Sequence, residues 1–141
     1  MNSAVTVDAS VFVNAFSPDE SGSNESAEFL HSLQTSGIPI IQPTLFFPEV
    51  VASIARKQDD GDIALELAAE LKKFPRLTLI DLDDELADYA SEIAAKYRLR
   101  GSDSVYAAVA LRFGTKLITL DREQLERLPK VLSVEKPFES R

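Results

Sequence analysis

Short apolar runs alternate along the chain with longer segments in which apolar residues recur at helical spacing. Runs rich in β-branched and apolar residues predict strands at 4–7, 38–41, 77–80 and 116–120, and a weaker strand at 131–134. Most of these runs are apolar at successive positions, which is typical of strands covered on both faces. Helical spacing and capping residues predict helices over 10–16, 25–33, 45–57, 62–73, 84–99, 103–113 and 122–128. The polar stretch 17–26 predicts a surface loop or mobile flap.

This alternation of strands and helices predicts an α/β fold. We expect a three-layer α/β/α sandwich around a mainly parallel central sheet of four to five strands. A length of 141 residues is that of one domain, so residues 1–141 are expected to form a single domain. In parallel sheets of this kind, ligands bind beyond the carboxyl ends of the strands. The residues that directly follow the strands are therefore the candidates for chemistry.

The composition limits which chemistry is available. The chain has no cysteine and one histidine, His31, so thiol nucleophiles, disulfides and multi-histidine metal sites are excluded. Any metal ion must therefore be held by oxygen ligands. A net charge of −8 means that a nucleic acid would have to meet a local basic patch or a metal-neutralised site. No apolar run approaches the roughly 20 residues of a membrane span. Because the start of the chain also lacks the pattern of a signal peptide, a cytoplasmic location is expected.

Acidic side chains are predicted to converge on one rim of the sheet. Asp8 follows the first strand, and Asp121 follows the fourth. Asp103 opens the helix before the fourth strand, and Glu49 lies early in the helix after the second. Carboxylates gathered in this way repel one another, and a divalent cation removes the repulsion. Mg²⁺ and Mn²⁺ prefer such oxygen ligands, and a cation held there can activate water and stabilise charge on a phosphodiester.

These acids also have ordinary structural interpretations. Asp8 and Asp121 could cap the helices that follow them, since aspartate is a preferred N-cap residue. Asp103 could stabilise the start of its helix through the helix dipole. Glu49 is harder to explain in this way, because it stands among apolar neighbours in the segment FFPEVV. The acidic run 81–85 is interpreted as the capped start of a helix rather than as a site.

The sequence resembles the PIN-domain ribonucleases, and especially the small VapC-type toxins of prokaryotic toxin–antitoxin pairs. The resemblance covers nearly the whole chain and rests on the segments VDASVFVNAF, FPEVVASIAR and YRLRGSDSVYAAVALRFGTKLITLD. It implies a PIN-like fold with a site that binds Mg²⁺ or Mn²⁺. The acids that the resemblance makes both catalytic and metal-binding are Asp8, Glu49, Asp103 and Asp121. Ser10 and Thr119 match hydroxyl positions that often line such a site.

The function implied by this resemblance is that of a metal-dependent endoribonuclease that cleaves single-stranded RNA. The implied partners are an antitoxin protein and a second copy of the chain, with no membrane. One alternative is a PIN-type nuclease of RNA processing or decay without an antitoxin. Another is a catalytically silent PIN domain that binds RNA or protein. A receiver-like regulator also clusters acids at strand ends, but it requires adjacent acids where this chain has Asp8-Ala9-Ser10.

Two predicted helices, 25–33 and 45–57, carry more apolar residues than one narrow stripe can hold. They are Phe29, Leu30, Leu33, Phe46, Phe47, Val50, Val51 and Ile54. One interpretation is that they form an exposed surface for a second copy and for an antitoxin tail. The other is that they belong to the core, because helices in small α/β domains often bury wide faces.

Overall fold

The structure is a computed structural model that describes residues 3–139, and a parallel sheet lies at its centre. Its strands are β1 (Val5–Val7), β2 (Ile40–Pro43), β3 (Leu77–Ile80), β4 (Lys116–Ile118) and β5 (Val134–Glu135). They are arranged in the order β3-β2-β1-β4-β5, and every neighbouring pair is parallel. The chain runs outward from β1 through β2 to β3 and then returns to place β4 on the other side of β1. The strand order therefore switches between β1 and β4, which is where ligand sites form in open α/β sheets.

Helices flank the sheet and confirm the predicted α/β class. They are α1 (Ala9–Ala15), α2 (Ser23–Ser36), α3 (Phe46–Gln58), α4 (Gly61–Leu71), α5 (Asp84–Tyr97), α6 (Gly101–Phe113) and α7 (Arg122–Arg127). The stretch 17–26 differs from its prediction, because α2 already begins at Ser23. Ser26 is buried and donates a hydrogen bond from Oγ to Asn14 Oδ1 at 2.7 Å. This buried contact ties the start of α2 to α1.

Strand β2 lies two residues further along the chain than its apolar pattern predicts. Its last two residues, Gln42 and Pro43, are not strand-like in sequence, yet both are buried. The Gln42 side chain explains the difference. Its Oε1 accepts from Val7 N at 2.6 Å, and its Nε2 donates to Val7 O at 2.7 Å. The side-chain amide of Gln42 therefore takes the place of a backbone peptide group in pairing β2 with the end of β1, immediately before Asp8.

Helix α6 is enclosed rather than amphipathic. Its buried residues run without interruption from Asp103 to Ala110. The helix packs against α5 on one side and against β1, β2 and β4 on the other. Small side chains at Ser104, Ala107 and Ala108 permit this close approach, and a helix that is apolar on most sides is typical of a core position. Asp103 is therefore carried by a helix that is packed against several other elements.

The apolar residues of α2 and α3 belong mostly to the core. Leu30, Leu33, Phe46, Val50 and Ile54 are buried, and Phe29, Phe47 and Val51 are partly buried against the same cluster. Both helices pack on α1, where the Phe12 and Phe46 ring centroids are 5.4 Å apart. The interpretation as a broad exposed apolar face is therefore wrong, because α1 covers the extra width. Formation of a homodimer stays a prediction.

Between residues 3 and 139, none of the helices has both the length and the apolar character needed to cross a membrane.

Candidate functional site

Asp8 and Asp121 lie at the carboxyl ends of the adjacent strands β1 and β4. Asp8 caps α1, and its Oδ2 accepts from Ser10 N at 2.9 Å. Asp121 caps α7, and its Oδ2 accepts from Gln124 N at 2.9 Å. The ordinary interpretation of these acids as helix caps is thus correct. It does not exclude a site, because both carboxylates also line one shared cleft.

Asp103 and Glu49 reach this cleft from two different helices. Asp103 lies in the first turn of α6 and is only 5% exposed. Glu49 lies in the first turn of α3, and its Oε1 accepts a hydrogen bond from the Tyr106 hydroxyl at 2.7 Å. Tyr106 follows Asp103 by one helical turn and is fully buried. Helix α6 therefore carries one acid and orients another.

The cleft has a volume of about 700 Å³ and brings together all of the acids predicted from the sequence. Other polar residues also line it, namely Ser10, Asn14, Glu20, Ser53, Arg56, Lys57, Arg100 and Ser102. Glu20 forms an ion pair with Lys57. A volume of this size is typical of small-molecule and substrate sites in proteins.

Burial and mutual repulsion disfavour the charged forms of the deepest acids. Burial raises the pKa of Asp8 above its usual value, and hydrogen bonds from Ser10 oppose this while the charge of Glu49 adds to it. Burial also raises the pKa of Asp103, from 3.8 to about 6, with further increases from the charges of Asp8 and Asp121. The Arg100 guanidinium partly offsets these effects. Additional positive charge among these acids, such as that of a bound cation, would favour their ionised forms.

Ser10 and Thr119, the two hydroxyl residues predicted at the site, connect the strand ends. Ser10 Oγ accepts from Leu120 N at 3.1 Å and lies 3.5 Å from Thr119 Oγ1. Thr119 is fully buried, and its Oγ1 accepts from Asp121 N at 3.0 Å. Ser10 lines the cleft, whereas Thr119 supports the backbone that carries Asp121.

Two further residues contact the acids, and their roles could not be assigned from the sequence. Arg100 bridges two carboxylates, with Nε 3.1 Å from Asp103 Oδ2 and Nη2 2.9 Å from Asp121 Oδ1. Gln124 is fully buried, and its Nε2 donates to Asp8 Oδ1 at 3.3 Å. Within residues 3–139, the Oε1 atom of Gln124 has no hydrogen-bond partner. The available clues were weak: a basic residue three positions before Asp103, and an amide one turn after Asp121.

The acids have the ligand chemistry that a hard divalent cation prefers, although their side chains do not surround a single point in the structure. No three histidine, cysteine, aspartate or glutamate side chains between residues 3 and 139 are arranged to hold a metal ion as they stand. All donors offered by the acids are carboxylate oxygens, the ligands that Mg²⁺ and Mn²⁺ prefer. The Arg100 guanidinium stands between two of them, so a cation already partly neutralises the site.

Comparisons with solved structures place this arrangement in a known fold. A toxin–antitoxin complex from Klebsiella pneumoniae contains a chain that is 17% identical, with a TM-score of 0.68 over 97% of this chain and 100% of that one. VapC20 from Mycobacterium tuberculosis, described as a sarcin–ricin loop cleaving toxin, is 16% identical, with a TM-score of 0.70 over 84% and 91%. FitAcB from Neisseria gonorrhoeae is 16% identical, with a TM-score of 0.70 over 96% and 99%. At such identities the likeness shows a shared fold.

The family itself is shown by the sequence. No curated protein matches the chain significantly over its length. The family model of the PIN domain, however, matches residues 5–131, which include all four acids and the sheet as far as β4. This match confirms the resemblance found in the sequence motifs, and the chain belongs to the PIN domain family.

Proposed function

We propose that this chain is a metal-dependent endoribonuclease that cleaves single-stranded RNA and acts as the toxin of a toxin–antitoxin pair. The observation that carries the proposal is the convergence of Asp8, Glu49, Asp103 and Asp121 on one cleft of a PIN domain. PIN-domain VapC toxins are nucleases, and PIN nucleases generally use divalent metal ions. A domain that served only for binding would not need four acids whose charges oppose one another.

The four acids would hold Mg²⁺ or Mn²⁺ in the cleft. A bound divalent ion supplies the charge that activates water and stabilises a phosphodiester during displacement. Hydrolysis forms a bond from the water oxygen to phosphorus and breaks the bond to the 3′-oxygen, which leaves as a hydroxyl group. Tyr106 holds the Glu49 carboxylate in place, and Gln124 and Ser10 do the same for Asp8. These contacts limit how far the carboxylates of Glu49 and Asp8 can move when the acids close around a cation.

Basic residues along α3 offer a path for the RNA backbone. Arg56 follows Glu49 by two helical turns on the same face, about 10 Å along the axis, and both residues line the cleft. Arg56 is exposed, and no ion pair within residues 3–139 neutralises it. Ala52 and Ser53 lie between the two residues, also line the cleft, and have small side chains that leave room for an RNA backbone. Arg56 is therefore proposed to contact a phosphate beside the one that is cleaved.

The antitoxin partner is proposed because several solved structures of similar fold are toxin–antitoxin complexes. The Klebsiella pneumoniae neighbour is a toxin–antitoxin complex, and similar chains from Rickettsia felis and Salmonella typhimurium were solved as VapBC assemblies bound to DNA. An antitoxin would be encoded beside the gene for this chain. Co-purification with the product of that adjacent gene, and inhibition by it, would support the toxin role. RNA cleavage that the adjacent product does not inhibit would favour an RNA-processing nuclease instead.

The nuclease proposal is tested with purified protein and a fluorescently labelled single-stranded RNA. Cleavage should require Mg²⁺ or Mn²⁺, stop in EDTA, and fall at least about 100-fold in Asp103→Asn, because a charged ligand is lost while the shape is kept. Asp83→Asn is the matched control, since Asp83 only caps α5 through Leu86 N. Undiminished cleavage in EDTA, or equal loss in both variants, would contradict the proposed mechanism.

A further inference from the structure

The positively charged side chain of Arg100 lies between two of the acids. It occupies the N-cap position of α6 but forms no side-chain capping bond there. Its guanidinium instead reaches Asp103 Oδ2 at 3.1 Å and Asp121 Oδ1 at 2.9 Å. The two carboxylates come from segments that are 18 residues apart in sequence, counted from 103 to 121. Within residues 3–139, no other basic side chain forms an ion pair with any of the four acids.

Both carboxylate oxygens of Asp121 already accept a hydrogen bond, so a cation that binds there must share these oxygens or displace a donor. Its Oδ2 is engaged by Gln124 N, which is the cap of α7, and its Oδ1 is engaged by Arg100. The cap is the contact more tightly built into the fold, because losing it would leave the first turn of α7 unpaired. The Arg100 side chain, in contrast, is 67% exposed and can leave into solvent. Arg100 is therefore the contact that can yield.

We propose that Arg100 is an internal counter-ion that competes with the divalent cation for Asp103 and Asp121, and thereby sets the metal affinity of the cleft. This inference rests on the proposed function, since it assumes that the acids bind a metal. Arg100 is in this sense a positioning residue: it holds the two carboxylates together in the metal-free protein. A divalent ion bound to the same two carboxylates would repel the guanidinium, so binding of the ion favours the departure of Arg100. Affinity for the metal is consequently lower than the four acids alone would give.

The competition is tested by measuring Mn²⁺ binding calorimetrically, without RNA, in the wild type, Arg100→Gln and Arg56→Gln. Both variants lose one positive charge from the lining of the same cleft, but only Arg100 contacts the acids. Arg100→Gln should bind Mn²⁺ at least about tenfold more tightly, within the usual range of coupling between competing ligands. Arg56→Gln should change the affinity by less than about threefold, because an exposed, uncontacted charge is screened by salt.

A second measurement uses the wild-type protein and does not depend on how the variant folds. The Nε–H resonance of Arg100, followed by nitrogen-15 NMR, should move during a Mg²⁺ titration as the bond to Asp103 Oδ2 is lost. An Nε–H resonance that stays unchanged while backbone amides of the cleft reach saturation would overturn the inference.

The binding results separate this inference from the nuclease proposal. Equal Mn²⁺ affinity in the wild type and Arg100→Gln, or equal tightening in both variants, would overturn the role of Arg100 and leave the metal site standing. Absence of Mn²⁺ binding in the wild type and in Arg100→Gln would overturn the metal site, and this inference with it.

Discussion

Replacing Asp103 by asparagine should stabilise the metal-free protein, although it removes a site residue. The pKa of Asp103 is raised from 3.8 to about 6, chiefly by burial, and the side chain is only 7% exposed. Each pKa unit corresponds to about 1.4 kcal/mol, so ionisation of Asp103 costs the folded protein about 3 kcal/mol at neutral pH. Asparagine has nearly the same shape and carries no charge, so Asp103→Asn should recover much of this free energy of unfolding.

The stabilisation should depend on pH in a defined direction. Between pH 3.8 and about 6 the folded state holds a proton on Asp103 that the unfolded state has already lost. Stability contributed by this group is therefore present below pH 3.8, falls as the pH rises through about 6, and is absent above it. The gain in Asp103→Asn should be near zero at pH 4 and largest at pH 7.5.

The assay is thermal or urea unfolding in EDTA at a series of pH values. A gain of 2–3 kcal/mol corresponds to a rise in Tm of roughly 5–10 °C for a chain of this size. Asp83→Asn serves as the control, and its stability should stay close to that of the wild type at every pH. Mn²⁺ should then reverse the order, because it stabilises the wild type through ligands that the variant has lost. A destabilised Asp103→Asn at pH 7.5 in EDTA, or a gain that does not change with pH, would refute the reasoning.

Three further substitutions test other contacts described above. Tyr106→Phe removes the hydrogen bond to Glu49 and should lower RNA cleavage about tenfold or more, as is typical for residues that orient metal ligands, without loss of the fold in circular dichroism. Arg56→Gln should weaken RNA binding, measured by fluorescence anisotropy, to a similar extent for RNAs of different sequence. The slope of log K against log salt concentration should become shallower by about 0.7, the value for one phosphate contact on a single strand. Gln42→Leu leaves the backbone N–H and C=O of Val7 without the amide, which should cost roughly 2–5 kcal/mol and lower the Tm by roughly 10 °C.

Each of these variants has a control on the same chain. Tyr89→Phe removes a hydroxyl from α5 and should leave cleavage unchanged, so an equal loss there would contradict the role of Tyr106. Lys73→Gln removes an exposed charge paired with Glu70, and RNA affinity should not respond to it. Gln58→Leu removes an exposed side chain that donates to Phe16 O, and a fall in Tm as large as that of Gln42→Leu would contradict the account of β2.

The fold and the four acids could be predicted because they depend on local patterns. Alternating strands and helices determine a parallel sheet, and the carboxyl ends of parallel strands share one rim. Asp8 directly follows β1, and Asp121 follows the predicted strand 116–120, so their meeting could be expected from the topology. Glu49 and Asp103 lie at the starts of helices that are connected to strands, so they could also be expected at this rim.

The supporting contacts could not be predicted because they depend on distances between separate elements. Gln42 lies just beyond the strand that the sequence predicts, and its pairing with Val7 exists only when β1 and β2 lie side by side. The position of Arg100 near Asp103 fits either an RNA contact or an ion pair with a nearby acid, and the bridge to Asp121 depends on where α7 begins. The wide apolar faces of α2 and α3 were also ambiguous, because the sequence of neither helix indicates that α1 packs against it.

Because α6 is enclosed, the part of the cleft that it forms can change little in evolution, whereas the exposed part formed by α3 can change more. A larger side chain at Ala107 or Ala108 has no space to occupy, because both positions are fully buried. Any shift of the helix would displace Asp103 and, through Tyr106, the carboxylate of Glu49 together. The geometry of the four acids thus tolerates little drift, whereas exposed rim positions such as Arg56 have space for other side chains. Sequence differences among related chains should accordingly accumulate on α3 and its flanks, while the residues of α6 stay small.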